Sequence, residues 1–394
     1  MAIGHLSDTP MTHPESLVAR PDLRRMFAPL ALLLLLGCGH TEPFASIPSG
    51  TDQPFDATPP IRLTLNQGPD RGATWLPDGS GILYSAQQLG RRDRDVCFAV
   101  LPPTGGRQRQ MTCDLSPPGR NLTDALESFA AAPDGRLAFL AASSSIGATS
   151  PDQQGIVLGS VDDPINYRVL QPVPYALPGD RLYGGVSQLQ WLSSNRVLYL
   201  GERVLYYKAC LGCPLDTLRS GLDATWLAVD EVDPSPQRIL GTENASGVST
   251  GSNENEVYYT LGGDTRVFLQ SLSDGAVSVV HDFASAGIAR DVHVMGNRIA
   301  VVVGGRVAFG TDPLLGTMQW DSGGVLHVVD LQAGTDVTLD GPGLFRRPQI
   351  SPSGSAIVAE GYSLIVTQAM LPGGEIQSDT TVSERGDLFL FGQP

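Results

Sequence analysis

The stretch "GVSTG", Gly247 to Gly251, matches the G-x-S-x-G spelling of a serine nucleophile. That motif works where a strand feeds a sharp turn and a helix follows, leaving the hydroxyl exposed beside a His and an acid. Here "SNENEVYYTL" follows, which reads as a turn and then a strand, so the esterase reading is set aside. His5, His13 and His40 fall in the first forty residues. His281, His293 and His327 come later and have no metal-like spacing. His293 and His327 alternate with Val, as packed or surface strand residues do. "DRD" at Asp93–Asp95 is too short for a calcium loop. No catalytic, metal or cofactor-binding residue is assigned, no cofactor is expected, and the chain is read as a non-enzyme.

The remaining chemistry is that of cysteine. In "RRMFAPLALLLLLGCGHT", Arg24 and Arg25 precede an apolar run from Met26 to Leu36, too short to span a bilayer and suited to the h-region of a secretion signal. A start at Met11 keeps Arg20, Arg24 and Arg25 as its positive region. "LLGC", Leu35 to Cys38, resembles the lipobox of bacterial lipoproteins. The resemblance implies cleavage before Cys38, lipid attachment at its thiol, and residence in the cell envelope. Gly39 is not the Asp associated with inner-membrane retention, which favours the periplasmic face of the outer membrane. On this reading residues 1–37 are a signal peptide and 38–60 a lipidated, Pro/Ser/Thr-rich tether. Residues 61–394 then form the folded domain.

Setting Cys38 aside leaves Cys97, Cys113, Cys210 and Cys213. An even number in an oxidising compartment suggests two disulfides, and local pairing of 97 with 113 and 210 with 213 is the simplest of three connectivities. "CLGC" lacks the βαβ surroundings of a redox pair, the following His of a haem site, and two further zinc ligands.

The elements that must carry these residues are strands. The chain has 394 residues, 41% of them hydrophobic and only 17% charged, with 45 Gly and 30 Pro, which favours many turns between short strands. The net charge of −15 makes nucleic acid an improbable partner. "ATWLPDGSGILYS" (Ala73–Ser85) reads as strand, Pro-Asp-Gly turn and strand. It returns as "SFAAAPDGRLAFLA", "LQWLSSNRVLYLG", "VSTGSNENEVYYTL", "VHVMGNRIAVVV" and "PQISPSGSAIVAEG". The closing turn residues Gly79, Gly135, Asn195, Asn255, Asn297 and Gly354 are 56, 60, 60, 42 and 57 apart, a recurrence that points to a propeller or solenoid. Gly and Asn suit a turn position with positive φ.

Each unit continues with a third strand: Asp95–Leu101, Gly155–Val161, Ala224–Asp230, Arg266–Leu272, Val325–Leu331 and Asp387–Gly392. Short fourth strands are expected at Arg120–Thr123, Tyr167–Leu170, Gln237–Leu240, Val277–Val280 and Asp336–Leu339. The sixth unit lacks a fourth, and Ile61–Leu65 at the other end can supply it, closing a ring without an open edge. The expectation is an all-β, six-bladed propeller of four-stranded antiparallel blades, with a seventh blade an open alternative. The motif resembles the TolB-like, WD-like propeller repeat, which implies a binding role in the envelope.

In such a ring the first-to-second turns lie on one face and the second-to-third loops on the other. The long insertions, 142–154, 202–223, 304–324 and 362–386, belong to the second face, where a partner is expected. Tyr206, Tyr207, Trp320, Arg346 and Arg347 are its candidate contacts, since aromatic and Arg side chains are the usual anchors. The chain is expected to be a monomeric, lipid-anchored binding or scaffold module for a protein or envelope component. The alternative is a lactonase-type hydrolase with a metal or carboxylate site in the central channel. Inner-strand positions Ala73, Trp75, Phe129, Gln188, Val248, Val292 and Gln349 offer few ligands for one.

Overall fold

The computed structural model describes residues 60–65, 69–87, 96–112, 124–142, 154–173, 175–176, 182–207, 216–239, 245–251, 253–305, 307–312, 316–321, 323–341, 343–370 and 376–392. In some outlying strand segments, 202–207, 216–225, 307–312, 316–321, 363–370 and 376–385 among them, only the backbone is described. All of them belong to one compact unit, Gly50–Pro394. No helix occurs among the described residues, so none there is long and apolar enough to cross a membrane.

The strand β1 (Ile61–Arg62) is followed by six antiparallel sheets. Blade one is β2 (Asp70–Trp75), β3 (Ile82–Gln87), β4 (Val96–Leu101) and β5 (Gln110–Thr112). Blade two is β6 (Asp124–Ala131), β7 (Arg136–Ala142), β8 (Gln154–Ser160) and β9 (Arg168–Val173). Blade three begins with an extra short strand, β10 (Tyr175–Ala176), before β11 (Leu182–Ser193), β12 (Arg196–Tyr207), β13 (Asp216–Asp230) and β14 (Gln237–Arg238). Blade four is β15 (Ala245–Thr250), β16 (Glu256–Leu261), β17 (Arg266–Ser271) and β18 (Val277–Asp282). Blade five is β19 (Ala289–Met295) and β20 (Arg298–Val303), then a separate hairpin of β21 (Val307–Asp312) and β22 (Gly316–Asp321), then β23 (Val325–Asp330) and β24 (Thr335–Leu339). Blade six is β25 (Gly343–Ile350), β26 (Ala356–Met370) and β27 (Ile376–Gly392).

The sixth sheet is completed from the other end of the domain. Ile61 pairs with Leu390 and Arg62 with Phe389, and Leu63 N–H donates to Leu388 O at 2.7 Å. Thr64 Oγ1 accepts from Leu388 N–H at 2.9 Å, and Arg62 pairs with Asp387 at 2.7 Å. The described residues therefore form a six-bladed all-β propeller, closed as the strand inventory predicts, with no seventh blade among them. Inner strands neighbour one another in the order β2, β6, β11, β15, β19, β25 and back to β2.

The hydrophobic core lies between blades. Phe98, Phe129, Phe139 and Tyr167 pack blade one on blade two, with edge-to-face rings 5.5 Å (Phe98–Phe129) and 6.0 Å (Phe139–Tyr167) apart. Trp226, Tyr259 and Phe268 join blades three and four, and Phe345, Ile357 and Phe391 belong to the layer between five and six. Strands buried on both faces read as continuous apolar runs, such as "RIAVVV" in β20, because each blade is sandwiched by two others.

Three expectations are corrected. The fourth strand of blade one is Gln110–Thr112, while Arg120–Thr123 lies outside the described residues. Positive φ falls on Gly79, Gly135, Gly296 and Gly354, not on Asn195, Asn255 or Asn297. Asn carries a Cβ, and a neighbouring Gly relieves it of the left-handed position in blade five. Finally, three of the expected long loops are largely β-hairpin. β12 and β13 continue outward in register to Tyr207↔Asp216, β26 and β27 to Met370↔Ile376, and β21 pairs with β22 throughout.

Candidate functional site: the central channel and its two faces

Each inner strand carries a β-bulge at the same level. The register breaks between Arg71 and Thr74, Ala125 and Phe129, Ser187 and Gln190, Ala245 and Gly247, Arg290 and Val292, and Arg346 and Gln349. A bulge leaves a residue out of the ladder and re-aims its neighbours. In blade one the bulge residue is Gly72, with φ 65°. In four other blades it is Ser128 (φ 102°), Gln188 (55°), Asp291 (20°) and Arg347 (48°), the complete set of non-glycine residues with positive φ among those described. Such backbone costs energy, so it calls for a reason.

The reason is found in the next blade. A bulge frees backbone N–H groups from their own sheet, and side chains from the preceding blade accept several of them. Ser128 Oγ accepts from Leu189 N–H at 2.5 Å, Asp291 Oδ2 from Arg347 N–H at 3.0 Å, and Glu360 Oε1 from Gly72 N–H at 2.7 Å. Glu360 is fully buried, and it also accepts from Arg347 Nη1 at 3.2 Å and from the Tyr362 hydroxyl at 2.8 Å. Burial, with Glu360 next, pushes the Tyr362 phenol well above its ordinary value, which keeps it a donor.

Two and three residues beyond the bulge the same logic repeats. Gln190 donates to Val248 O (2.6 Å) and accepts from Thr250 N–H (3.0 Å); Ser249 Oγ accepts from Val294 N–H (2.9 Å). His293 Nδ1 accepts from Ile350 N–H (3.1 Å), so the proton of the neutral ring sits on Nε2. His293 is half-buried on the wall of the channel mouth, and the loss of water around its ring pushes its pKa down to about 4. Trp75 and Trp191 donate their indole N–H to Gln349 O (2.9 Å) and Ala130 O (2.8 Å).

Between these tiers the channel narrows to a cavity of ≈ 60 Å³ lined by Gly72, Ala73, Ser128, Phe129, Gln188, Leu189, Val248, Asp291, Val292 and Arg347 among others. That is room for a few waters, and well below a typical ligand pocket. On the turn face it opens into a funnel of ≈ 330 Å³, walled by Trp75, Trp191, Met295, Ile350 and the turn prolines Pro77, Pro133 and Pro352. Arg136 stacks over the Trp191 ring at 4.9 Å and binds Asp134 and Glu231.

The throat does not fit a catalytic metal. It offers the carboxylate of Asp291 beside an arginine, and among the described residues no three His, Cys, Asp or Glu are placed to hold an ion.

The expected contacts are distributed as follows. Tyr206 and Tyr207 lie on the outward extension of β12, opposite Thr217 and Asp216, and Trp320 lies on β22 opposite Ala308. Their side chains are outside the described set. Arg346 stands opposite Glu360 in β25, and Arg347 belongs to the throat with its guanidinium on Glu360. Cys97 is buried in β4, while Cys38, Cys113, Cys210 and Cys213 lie outside the described residues. Ser128, Asp291 and Glu360 were not marked by the sequence reading. The signal available was a polar residue directly before an apolar inner-strand residue, as in "SF", "QL", "DV" and "RP".

The fold and channel define a class: a six-bladed β-propeller whose inner-strand polar groups join blade to blade. No protein-family model matches the chain, and no curated protein matches it. Solved structures of similar fold include TolB from Acinetobacter baumannii, at 13% identity and TM-score 0.45, covering 82% of this chain and 65% of that one. A gluconolactonase from Xanthomonas campestris shares 14% identity at TM-score 0.49, covering 89% and 99%. The WD40 repeats of RRP9 share 13% at 0.46, covering 85% and 97%. The chain thus spans just under two thirds of the TolB length. These likenesses are of fold, which binding proteins and enzymes share.

Proposed function

We propose that this chain is a non-catalytic propeller, anchored by lipid at Cys38 on the periplasmic face of the outer membrane. As a monomer it binds a protein or envelope component on the face bearing the hairpins. One observation carries this reading: the second-to-third connections of blades three, five and six are built as paired strands rising from one face of a closed ring. Strand pairing fixes the course of the backbone in these connections, and long connections on a rigid scaffold are where binding concentrates. The throat supports the same reading, because Ser128, Gln190, Ser249, His293 and Glu360 are spent on holding blades together.

In this reading Cys97 forms a disulfide with Cys113. The register Phe98↔Thr112 in β4 and β5 supports that pairing, since Cys97 and Cys113 are the next residues along the two segments.

The test is site-specific photocrosslinking in native envelopes, with the reactive group at Tyr206, Tyr207 or Trp320 and, for comparison, at Thr104 and Asp274 on the turn face. A defined partner captured from the hairpin positions is the expected result. Capture from the turn positions alone, or a lactone-hydrolysing activity lost in Asp291→Asn, would overturn it.

A further inference from the structure

The turn face holds a second recess, between blades one and two. It measures ≈ 380 Å³, with Leu76, Val100, Ala132 and Val161 as its floor and the turns at Pro77 and Pro133 as its walls. Those two prolines also line the funnel, so the recess runs outward from the channel mouth as a trough.

Its charged lining is two carboxylates against one cation. Asp78 and Asp162 lie along the trough, both exposed, and Arg109, also exposed, acts on Asp78 and leaves the lining with a net negative charge. Ser80 N–H donates to Asp78 Oδ1 at 2.9 Å, and the hydrogen bonds from Ser80 hold that carboxyl below its ordinary range. Asp163, also exposed, follows Asp162. Arg136 nearby brings no uncommitted positive charge, because it is bound to Asp134 and Glu231.

An apolar floor with an anionic edge matches one kind of side chain well: Lys or Arg, whose methylene stem lies on apolar surface while its head reaches a carboxylate. We propose that this trough docks an extended segment of a partner protein in which a basic residue is flanked by apolar ones. The apolar residues would pack between Pro77 and Pro133 and the cation would sit between Asp78 and Asp162. The inference rests on the binding-module reading and names the chemistry of a second contact, on the face opposite the hairpins.

The test uses the purified protein and two fluorescein-labelled decapeptides, one with two Arg set among Pro and Leu, the other with Glu replacing Arg. Anisotropy at low and at near-physiological salt should show binding of the Arg peptide, weakening as salt rises, and none of the Glu peptide. Asp78→Asn combined with Asp162→Asn, which leaves an acceptor for Ser80, should weaken binding about fivefold, the scale of exposed charge pairs. Asp233→Asn, in the corresponding turn region of blade three, should leave it unchanged. Equal binding of both peptides, an equal loss in Asp233→Asn, or no binding at all overturns the trough assignment. The hairpin crosslinks are read independently, so they distinguish failure here from failure of the binding-module reading.

Discussion

Glu360 Oε1 and Gly72 N, 288 positions apart in sequence, are 2.7 Å apart where the last blade meets the first. Gly72 is the bulge residue of β2, so its N–H is lost to its own sheet, and the fully buried carboxylate replaces the missing acceptor. The same carboxylate holds Arg347 and the Tyr362 hydroxyl. Three donors from two blades thus converge on one side chain at the seam.

Removing that side chain takes an acceptor from each of the three. Glu360→Ala is expected to cost about 3–5 kcal/mol, the range for breaking a buried pair, because Arg347 loses its counter-charge together with the bond to Gly72. Glu360→Gln keeps an acceptor for Gly72 and loses the charge, and should cost less, about 1–3 kcal/mol. Urea unfolding followed by tryptophan fluorescence checks both. Equal costs would mean that the charge, not the seam bond, carries the effect.

A related expectation concerns backbone strain. Glycine at position 128 or 291 would relax a positive φ, which alone favours the folded state by up to about 1 kcal/mol. If the strained residue is kept for its side chain, Ser128→Gly and Asp291→Gly should still destabilise, by about 1 kcal/mol each, since Leu189 N–H and Arg347 N–H lose their acceptors. Chemical denaturation measures the sign. Stabilisation in both variants would show that the blade-to-blade bonds contribute little.

The ring was legible in the sequence because its determinants are local and repeated. "PDG" at 77–79 and 133–135 and "PSG" at 352–354 fix tight turns, and the missing sixth fourth strand is balanced by "IRLTL" at 61–65. The bulges were not legible. A bulge changes which residues face the channel without altering the apolar pattern around it, so Asp291 in "ARDVHVM" reads as one more strand residue. Glu360 was missed for the opposite reason. It lies in the apolar run "AIVAEG", and only the seam, a relation between distant strands, makes its burial affordable.

Cys97 yields a covalent prediction. Alkylation without reduction should leave Cys97 and Cys113 unlabelled, and mass spectrometry of a digest should recover them as one linked peptide. A loop of this length contributes about 3 kcal/mol in the chain-entropy estimate, so reduction, or Cys97→Ser with Cys113→Ser, should lower the unfolding free energy by that order. Recovery of Cys113 linked to Cys210 or Cys213 instead would overturn the pairing with Cys97.

His293 makes stability depend on pH in a defined window. Its pKa is depressed by the loss of water around its ring to about 4, against 6.5 for a solvated imidazole. In the unfolded chain the ring takes up a proton as pH falls through 6.5; in the propeller it stays neutral until about 4, with Nδ1 accepting from Ile350 N–H. Protons therefore favour the unfolded state throughout that interval. The stabilisation is complete above pH 6.5 and is lost on going down to 4, by up to about 3 kcal/mol. Glutamine is the natural probe, because Gln190 and Gln349 hold the corresponding position, two residues past the bulge, in blades three and six. His293→Gln should cost about 1–2 kcal/mol at pH 7.5 and flatten the fall between pH 6.5 and 4.5. Denaturant midpoints for both proteins across that range decide the matter: parallel curves would assign the acid sensitivity to carboxylates instead of to this ring.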